Sequence, residues 1–277
     1  MLEFITNPYF LQILTMCCIN IIIVLGLNLI CGITGQLSLG HAAFVSIGAY
    51  SAALLMLKLG LPFWLAIPGA GLTAGLAGFL LGVPILRLRG DYLAIATLAF
   101  CEIIRVVFLN LAITGKALGI NGIPRHTTPL IAFIIMVLAV VAMYNIINSR
   151  FGLALRSIRE DEIAAEMMGI NIARYKMLAF SIGSCFAGIG GALYACRITI
   201  ITPGDFGFMR SVEQLCMLVL GGMGSLVGAI VGTGLLTSIP EVLRFASEYR
   251  MLTYGIVLVL IMVFRPQGLF GKIRVNL

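Results

Sequence analysis

The sequence predicts an all-α polytopic membrane protein, and three observations lead to that fold class. Hydrophobic residues make up 61% of the 277 positions and charged residues only 10%, with a mean hydropathy of +1.11. Most apolar runs are close to the ~20 residues that a membrane-spanning helix needs. The basic residues, which give a net charge of +7, gather in a few loops between those runs. A soluble globular domain is excluded, because so few charges cannot cover its surface.

The apolar runs follow one another along the whole chain, which predicts a single transmembrane domain over residues 1–277. Allowing for interrupted segments, we expect about eight to ten transmembrane or broken helices. The cysteines lie mostly within the runs, without metal-ligand spacing, and we interpret them as small core residues. The runs cover residues 8–30, 41–57, 63–83, 92–112, 129–147, 176–197, 212–240 and 251–264.

Basic loops predict the orientation of the helices. Short loops rich in Arg and Lys stay in the cytoplasm, which assigns three regions to that side and the N-terminus to the outside. Their basic residues are Arg87 and Arg89 in loop 84–91, then Arg150, Arg156, Arg159, Arg174 and Lys176 in loop 148–176, and Arg265, Lys272 and Arg274 in the tail.

The run 212–240 does not fit a single crossing. The loops before and after it must both lie outside if the last helix is to end inside. Its 29 residues are nevertheless too few for two full crossings. We therefore expect a hairpin of two short helices, entered at Ser211 and Gln214, whose spacing resembles a capping box.

Two glycine-rich breaks, residues 32–41 (the first break) and 220–225 (the second break), interrupt the apolar pattern. Irregular backbone at membrane depth is tolerated only when it is buried in protein or lines a water-filled path. Broken segments in both halves of a chain are typical of transporters built from repeats. The alternative is tight helix packing with harmless kinks. The polar and glycine residues of the breaks are our candidates for a translocation path: Gln36, Ser38, His41, Gly221, Gly222, Gly224 and Ser225.

Small residues recur at every fourth position in three of the runs. Such stripes let helix backbones approach closely in lipid. They predict a compact bundle and carry no chemistry of their own. The stripes are Ala70, Ala74, Gly78 and Gly82; Gly183, Ala187, Gly191 and Ala195; and Gly224, Gly228 and Gly232.

The charged segment, residues 150–169, contains seven charged residues in twenty positions and should lie in water. Ser157 and Glu160 have the spacing of a capping box, and Gly169 suits the position after a helix C-terminus. The pattern predicts a helix over 157–169 with one apolar side, which can rest on the membrane domain or on a partner. The alternative is an ordinary solvated loop helix.

Chemistry-bearing residues are sparse. No P-loop is present, and the two histidines, His41 and His126, are far apart, so neither ATP binding of that type nor a His-based metal or catalytic site is expected. Glu102 and Arg105 stand three residues apart inside a run, and we interpret them as a structural ion pair rather than a proton relay. Energy for uphill transport would then come from another subunit, with the charged segment as its receiver.

Seven stretches along the chain form a recognisable set. They read NLICGITGQLSLGHAAF (28–44) with Gly48 and Tyr50, GDYLAIATLAFCE (90–102), GINGIP (119–124), GLALRSIRE (152–160) with Ala164, Ala165 and Gly169, DFGF (205–208), GGMGS (221–225) and FRPQG (264–268). In this order, and over nearly the full length, they resemble the M-type permease subunit of high-affinity branched-chain amino acid ABC importers.

The resemblance implies a subunit of the bacterial inner membrane that is not an enzyme and binds no cofactor itself. It implies a fold of two inverted repeats, similar to ribose-type and vitamin-B12-type ABC permeases. Implied partners are a second homologous permease, two cytoplasmic ATPases that bind ATP and Mg²⁺, and a periplasmic amino-acid-binding protein. Residues 149–175 match the cytoplasmic coupling loop, with contact residues at Arg156, Ser157, Arg159, Glu160, Asp161, Glu162, Ala164, Ala165 and Gly169.

The expected mechanism is alternating access, in which outer loops including 199–211 receive the loaded binding protein. Helix N-termini near the breaks could meet the carboxylate of the substrate. Branched-chain amino acids are the expected substrates, and other amino acids or urea-like amides remain open. Two rival classes also remain: a proton-coupled carrier that needs Glu102 and works alone, and a membrane scaffold that tolerates changes at the second break.

Overall fold

The computed structural model describes residues 8–85, 88, 90–242 and 255. In these ranges the chain is almost entirely helical, and five helices are long and apolar enough to cross a membrane. The predicted all-α polytopic membrane class is confirmed. The helices are α1 (Pro8–Leu27), α2 (His41–Leu57), α3 (Phe63–Ile85), α4 (Asp91–Asn110), α5 (Pro129–Asn148), α6 (Arg150–Glu160), α7 (Glu162–Met167), α8 (Ile172–Ile198), α9 (Phe208–Gly221) and α10 (Leu226–Val242).

Short irregular elements connect the helices. A π-helical turn, Asn28–Ile33, continues α1, and 3₁₀ turns cover Ala112–Thr114, Lys116–Leu118 and Pro203–Phe206. The strands β1 (Ile120–Asn121) and β2 (Ile200–Ile201) pair antiparallel, with Ile120 opposite Ile201. The predicted last span 251–264, apart from Gly255, and the basic tail lie outside the described residues, as do Arg87 and Arg89 of the first basic loop.

Helix α1 forms the centre of the bundle. It is apolar on all sides, as expected of a helix that is surrounded by protein, and Ile19, Ile22 and Leu25 are completely buried. Helices α5, α8, α9 and α10 pack around it. By contrast, α4 and α5 are mostly uncovered in this chain, with exposed apolar residues such as Ile95, Ile103, Leu130 and Leu138 that suit contact with lipid.

Small residues mark the closest helix contacts, as their spacing predicts. Helix α8 packs against α1, α2 and α3 along its glycines. A methyl group on Gly48 of α2 would overlap the backbone of Gly188 in α8, and one on Gly191 would overlap the carbonyl of Val45. In an environment without a hydrophobic driving force between helices, such close approach supplies much of the packing attraction.

Helices α9 and α10 form the expected hairpin. Gly221 near the tip packs against the backbone of Gly228, while Gly232 packs against Gly221 and Met217, so the helices run antiparallel. Ser225 caps α10 as predicted, because its Oγ accepts a hydrogen bond from Gly228 N–H over 3.1 Å. At 14 residues, α9 is about 21 Å long and does not cross a full bilayer.

The entry to this hairpin differs from the predicted capping box. Helix α9 starts earlier, after Gly207, which has no side chain to cap it. Ser211 lies inside the helix, where its Oγ accepts a hydrogen bond from Ala42 N–H at the start of α2 over 3.1 Å. The serine therefore joins the two halves of the chain instead of capping its own helix. The relation of the halves as inverted repeats stays a prediction.

The contact between Gly48 and Gly188 allows a matched stability test. We expect Gly48→Ala to lower the apparent melting temperature in detergent, because the added methyl group overlaps backbone atoms and such overpacking costs about 1–3 kcal/mol. Gly234→Ala is the control: a methyl group there meets nothing within 4 Å and favours the helix. Equal melting temperatures for the two variants would contradict this account of the packing.

Candidate functional site

The two glycine-rich breaks meet inside the protein, although about 190 residues separate them in the sequence. The contact is made by Asn28, the first residue of the π-helical turn, which is completely buried. Its Oδ1 accepts a hydrogen bond from Gly224 N–H over 2.9 Å, and its Nδ2 donates one to Ser225 O over 3.3 Å. One amide side chain thus satisfies two backbone groups of the second break, which would otherwise be unpaired in an apolar bundle.

Glycine is required on both sides of this junction. A Cβ atom on Gly32 would lie 3.0 Å from Gly224 Cα and would also overlap the side chain of Asn28. Gly224 has a φ of +86°, a backbone conformation that side chains with a Cβ rarely adopt. The glycines therefore allow two irregular backbones to lie in contact.

Arg159 of the charged segment completes the junction. Its Nη1 donates a hydrogen bond to the carbonyl of Gly32 in the first break. The same guanidinium is close to Gly224, where a Cβ would lie 2.6 Å from Nη1, and the side-chain stem crosses Gly35, where a Cβ would lie 3.1 Å from Cγ. Arg159 is thus the side chain through which the charged segment contacts both breaks.

The charged segment forms two helices and not the single helix 157–169 that the sequence suggested. Helix α6 begins after Ser149, whose Oγ accepts a hydrogen bond from Gly152 N–H over 3.4 Å. Ser157 is inside α6 and bonds back to Ala154 O, so its predicted capping box with Glu160 is wrong. Asp161 instead caps α7.

The side chain of Asp161 accounts for the division between α6 and α7. Its Oδ1 accepts hydrogen bonds from Ile163 N–H and Ala164 N–H over 2.8 and 3.1 Å, which is the bonding of an N-cap residue. Gly169 follows α7 with a φ of +81°, so its predicted position after the helix C-terminus is confirmed.

The nine predicted contact residues of this segment do not share one surface. Arg159 contacts the breaks, Glu162 forms an ion pair with Lys176 of α8, and Ala165 is buried. Ser157 is partly buried, and the other five are exposed: Arg156, Glu160, Asp161, Ala164 and Gly169.

Three exposed apolar side chains form an apolar tip, of which only Met168 was not predicted from the sequence. Ile163, Met167 and Met168 are 73%, 85% and 83% exposed at the end of the charged segment. The predicted apolar side of this segment, which includes Ile163 and Met167, can rest on the membrane domain or on a partner. Because the three side chains are exposed in this chain, the apolar side does not rest on the membrane domain. A partner is then the favoured contact, since clustered exposed apolar groups mark interaction sites.

The polar residues of the first break are buried within the chain. His41 donates from Nε2 to Ile23 O over 3.0 Å when that nitrogen carries the proton. Among the described residues, His41 Nδ1, Ser38 Oγ and both amide atoms of Gln36 have no hydrogen-bond partner. The same holds for the amide of Gln214 in α9. Buried polar atoms without protein partners are where water or a passing substrate can bind.

An open pocket of about 510 Å³ adjoins α9 at its other end. We call it the outer pocket, because the predicted orientation of the helices places this end of α9 outside. Glu102 and Arg105 line it and form an ion pair of 2.7 Å between Oε2 and Nε. Arg210 and Glu213, which also line it, form another of 2.8 Å. Helix α9 therefore connects the outer pocket to the junction of the breaks, with Gln214 between them.

Comparison with known proteins places this architecture in a family. The profile of the family described as branched-chain amino acid transport system / permease component matches residues 9–264, which include both breaks and the charged segment. The chain belongs to this permease family.

Two similar permeases share most of their length with this one. The high-affinity branched-chain amino acid transport system permease protein LivM of Salmonella typhimurium is 40% identical over 96% of this chain and 71% of its own. The corresponding protein BraD of Pseudomonas aeruginosa is 27% identical over 92% of each chain. The protein is accordingly a multi-pass membrane permease of the ABC importer type.

A relative with another printed substrate is also found. The nucleoside ABC transporter permease protein NupC of Lactococcus lactis is 26% identical over 86% of each chain. Membership of the family therefore does not by itself fix the substrate of this permease. No solved structure matches the chain significantly.

The junction allows a test by removing the amide of Asn28. We expect Asn28→Leu to lower the melting temperature of the permease, because leaving a buried donor or acceptor unsatisfied costs about 1–3 kcal/mol each. Asn110→Ala is a suitable control, since Asn110 is exposed and its Nδ2 bonds only to Val106 O in its own helix. An equal loss in both variants would mean that Asn28 does not hold the breaks together.

Proposed function

We propose that the protein is the transmembrane permease subunit of an ATP-driven importer that moves branched-chain amino acids across the bacterial cytoplasmic membrane. One observation carries the proposal: Arg159 of the charged segment is bonded to the first break at the point where it meets the second. A movement of the charged segment would therefore act directly on the irregular backbone of the bundle.

The proposed assembly contains this chain as a single domain, a second homologous permease, two cytoplasmic ATPases and a periplasmic amino-acid-binding protein. ATP and Mg²⁺ would bind to the ATPases only. Residues 149–175 would lie in the cytoplasm as the coupling loop, in agreement with their arginines and the positive-inside rule. The loop 199–211 at the opposite end of α8 would face the binding protein.

The apolar tip is the proposed contact with the ATPase. Ile163, Met167 and Met168 project from a short helix, and side chains of this type fill apolar grooves in partner proteins. Charged neighbours such as Glu160 and Arg156 would form the polar rim of the contact. The exposed residues, and not the whole predicted set of nine, would thus make the interface.

Transport would follow alternating access along α9. ATP-driven closure of the ATPases would move α6 and α7, and Arg159 would transmit this movement to Gly32 and Gly224. Opening of the junction would expose the inner end of a path that begins at the outer pocket. The buried, unpartnered atoms of Gln36, Ser38, His41 and Gln214 would then meet water or the polar groups of the substrate.

The substrate can be tested by uptake into proteoliposomes that contain the complete complex and receive the loaded binding protein outside. We expect ATP-dependent uptake of leucine, isoleucine or valine. A nucleoside serves as the comparison, because one relative is named for that substrate. Uptake by this chain alone, driven by a pH gradient, would instead support a proton-coupled carrier.

Arg159 should control coupling between ATP hydrolysis and uptake. We expect Arg159→Gln to lower uptake at least about tenfold while much of the ATPase activity remains, because a charge-assisted bond across the junction is lost. Arg156→Gln is the matched control, since Arg156 is exposed on the same helix three residues away. Both rates are measured on the same proteoliposomes, and a parallel fall in ATPase activity and uptake would contradict the proposed role.

The apolar tip should hold the ATPases to the membrane subunit. We expect the double variant Met167→Asp and Met168→Asp to lose the ATPases on affinity purification in mild detergent, because carboxylates would have to enter an apolar groove. Leu118→Asp provides the control, since Leu118 is 81% exposed but lies in the loop between α4 and α5. Normal recovery of ATPases with the double variant would exclude the tip from the interface.

A further inference from the structure

We propose that the outer pocket is a binding site for a zwitterionic amino acid, with Arg105 receiving the carboxylate and Asp205 the ammonium group. This inference rests on the proposed function, because it gives a place in the chain to the amino acid that the permease would carry. The walls of the pocket come from α4, α8, α9 and the turn before α9.

Arg105 has hydrogen-bond donors that are not used within the described part of the chain. Its Nε is bonded to Glu102, but neither Nη group has a hydrogen-bond partner among the residues that the structure describes. The Arg105 side chain is 36% exposed, and Glu102, whose other oxygen accepts a hydrogen bond from Phe208 N–H over 3.3 Å, holds it in place. A fixed guanidinium with two free nitrogens matches the two oxygens of a carboxylate.

Arg210, the other cation of the pocket, is already occupied. Its Nη1 donates to Glu213 over 2.8 Å and its Nη2 to Asn20 over 3.3 Å, while the guanidinium lies over the ring of Tyr194 at 5.7 Å from the centroid. Arg210 therefore fixes the wall of the pocket. The available carboxylate receptor is Arg105.

Asp205 supplies the opposite charge. Its Oδ2 accepts two hydrogen bonds from Thr202, over 2.8 Å from the backbone N–H and 2.9 Å from Oγ1. No described residue bonds to its Oδ1, which can therefore accept from an ammonium group. Glu102, in comparison, uses both carboxylate oxygens within the protein.

The remaining wall suits an apolar side chain. Tyr194, Phe208 and Met209 also line the pocket, and Met209 is 58% exposed. A volume of about 510 Å³ lies in the range that accommodates small molecules. Two opposite charges with apolar surface beside them are complementary to an amino acid such as leucine. An amine or a carboxylic acid alone would leave one charged group of the pocket without a partner.

The test uses the complete complex in lipid nanodiscs, without the binding protein, and measures saturable binding of tritiated L-leucine. We expect 4-methylpentanoate and 3-methylbutylamine, which lack the ammonium and the carboxylate, to compete at least about tenfold more weakly than leucine. Arg105→Gln should weaken leucine binding by a similar factor and remove the preference for leucine over 3-methylbutylamine.

Three further variants separate recognition from folding. Arg105→Lys keeps the charge but loses the forked donors, so its leucine binding should be intermediate. Asp205→Asn keeps an oxygen for Thr202 and should remove the preference for leucine over 4-methylpentanoate. Arg125→Gln, an exposed cation in the loop before α5 that does not line the pocket, should bind leucine as the wild type does.

Several results would overturn the site. The first is leucine uptake by a wild-type complex that shows no saturable leucine binding. The second is equal leucine binding by Arg105→Gln and Arg125→Gln. The third is a loss in Arg105→Gln that is confined to the affinity for the binding protein. The last result would make the pocket a docking surface. A wild-type complex that hydrolyses ATP but takes up no amino acid would instead refute the proposed function.

Discussion

The hydrogen bonds of broken helices in an apolar bundle are the constraint on which this structure depends. Each interruption of a helix frees backbone groups that lipid cannot satisfy. Here the two interruptions are placed against each other, and Asn28 and Arg159 supply the missing partners. The central position of α1 follows from this arrangement, because the helix that carries the first break must reach both the hairpin and the charged segment.

The same constraint makes the junction of the breaks sensitive to small displacements of its polar groups. Polar contacts in a low-dielectric interior are strong while their geometry is satisfied and costly when it is not. A small displacement of Arg159 would change the contacts at Gly32 and Gly224 together. A polar junction of this kind suits an element that has to exist in two arrangements.

Much of the fold could be predicted from the sequence because its signals are local. Apolar length predicts the spans, small residues predict the close contacts, and glycine followed by Ser225 predicts the hairpin. The two predicted capping boxes failed for different reasons. Ser211 has the spacing of a cap but bonds to α2, a distant part of the chain. Ser157 lies between two other capping residues, Ser149 and Asp161, which begin α6 and α7. Local spacing cannot decide between such alternatives.

The candidate site was predictable only in its parts. The breaks and the charged segment were identified, but their meeting through Arg159 was not, since nothing in the sequence reports a contact over 127 positions. The partly buried state of Arg159 likewise separates it from Arg156, although both are arginines of one helix. The apolar side of the charged segment was predicted with Ile163 and Met167, but its exposure was not, because the sequence does not show what α7 packs against.

The small antiparallel pair of β1 and β2 joins two loops that belong to opposite halves of the chain. Ile120 and Asn121 precede α5, whereas Ile200 and Ile201 follow α8, and their backbones are held at hydrogen-bonding distance. A protein that presses on either loop would therefore act on both. The pair therefore couples the loop before α5 to the loop after α8.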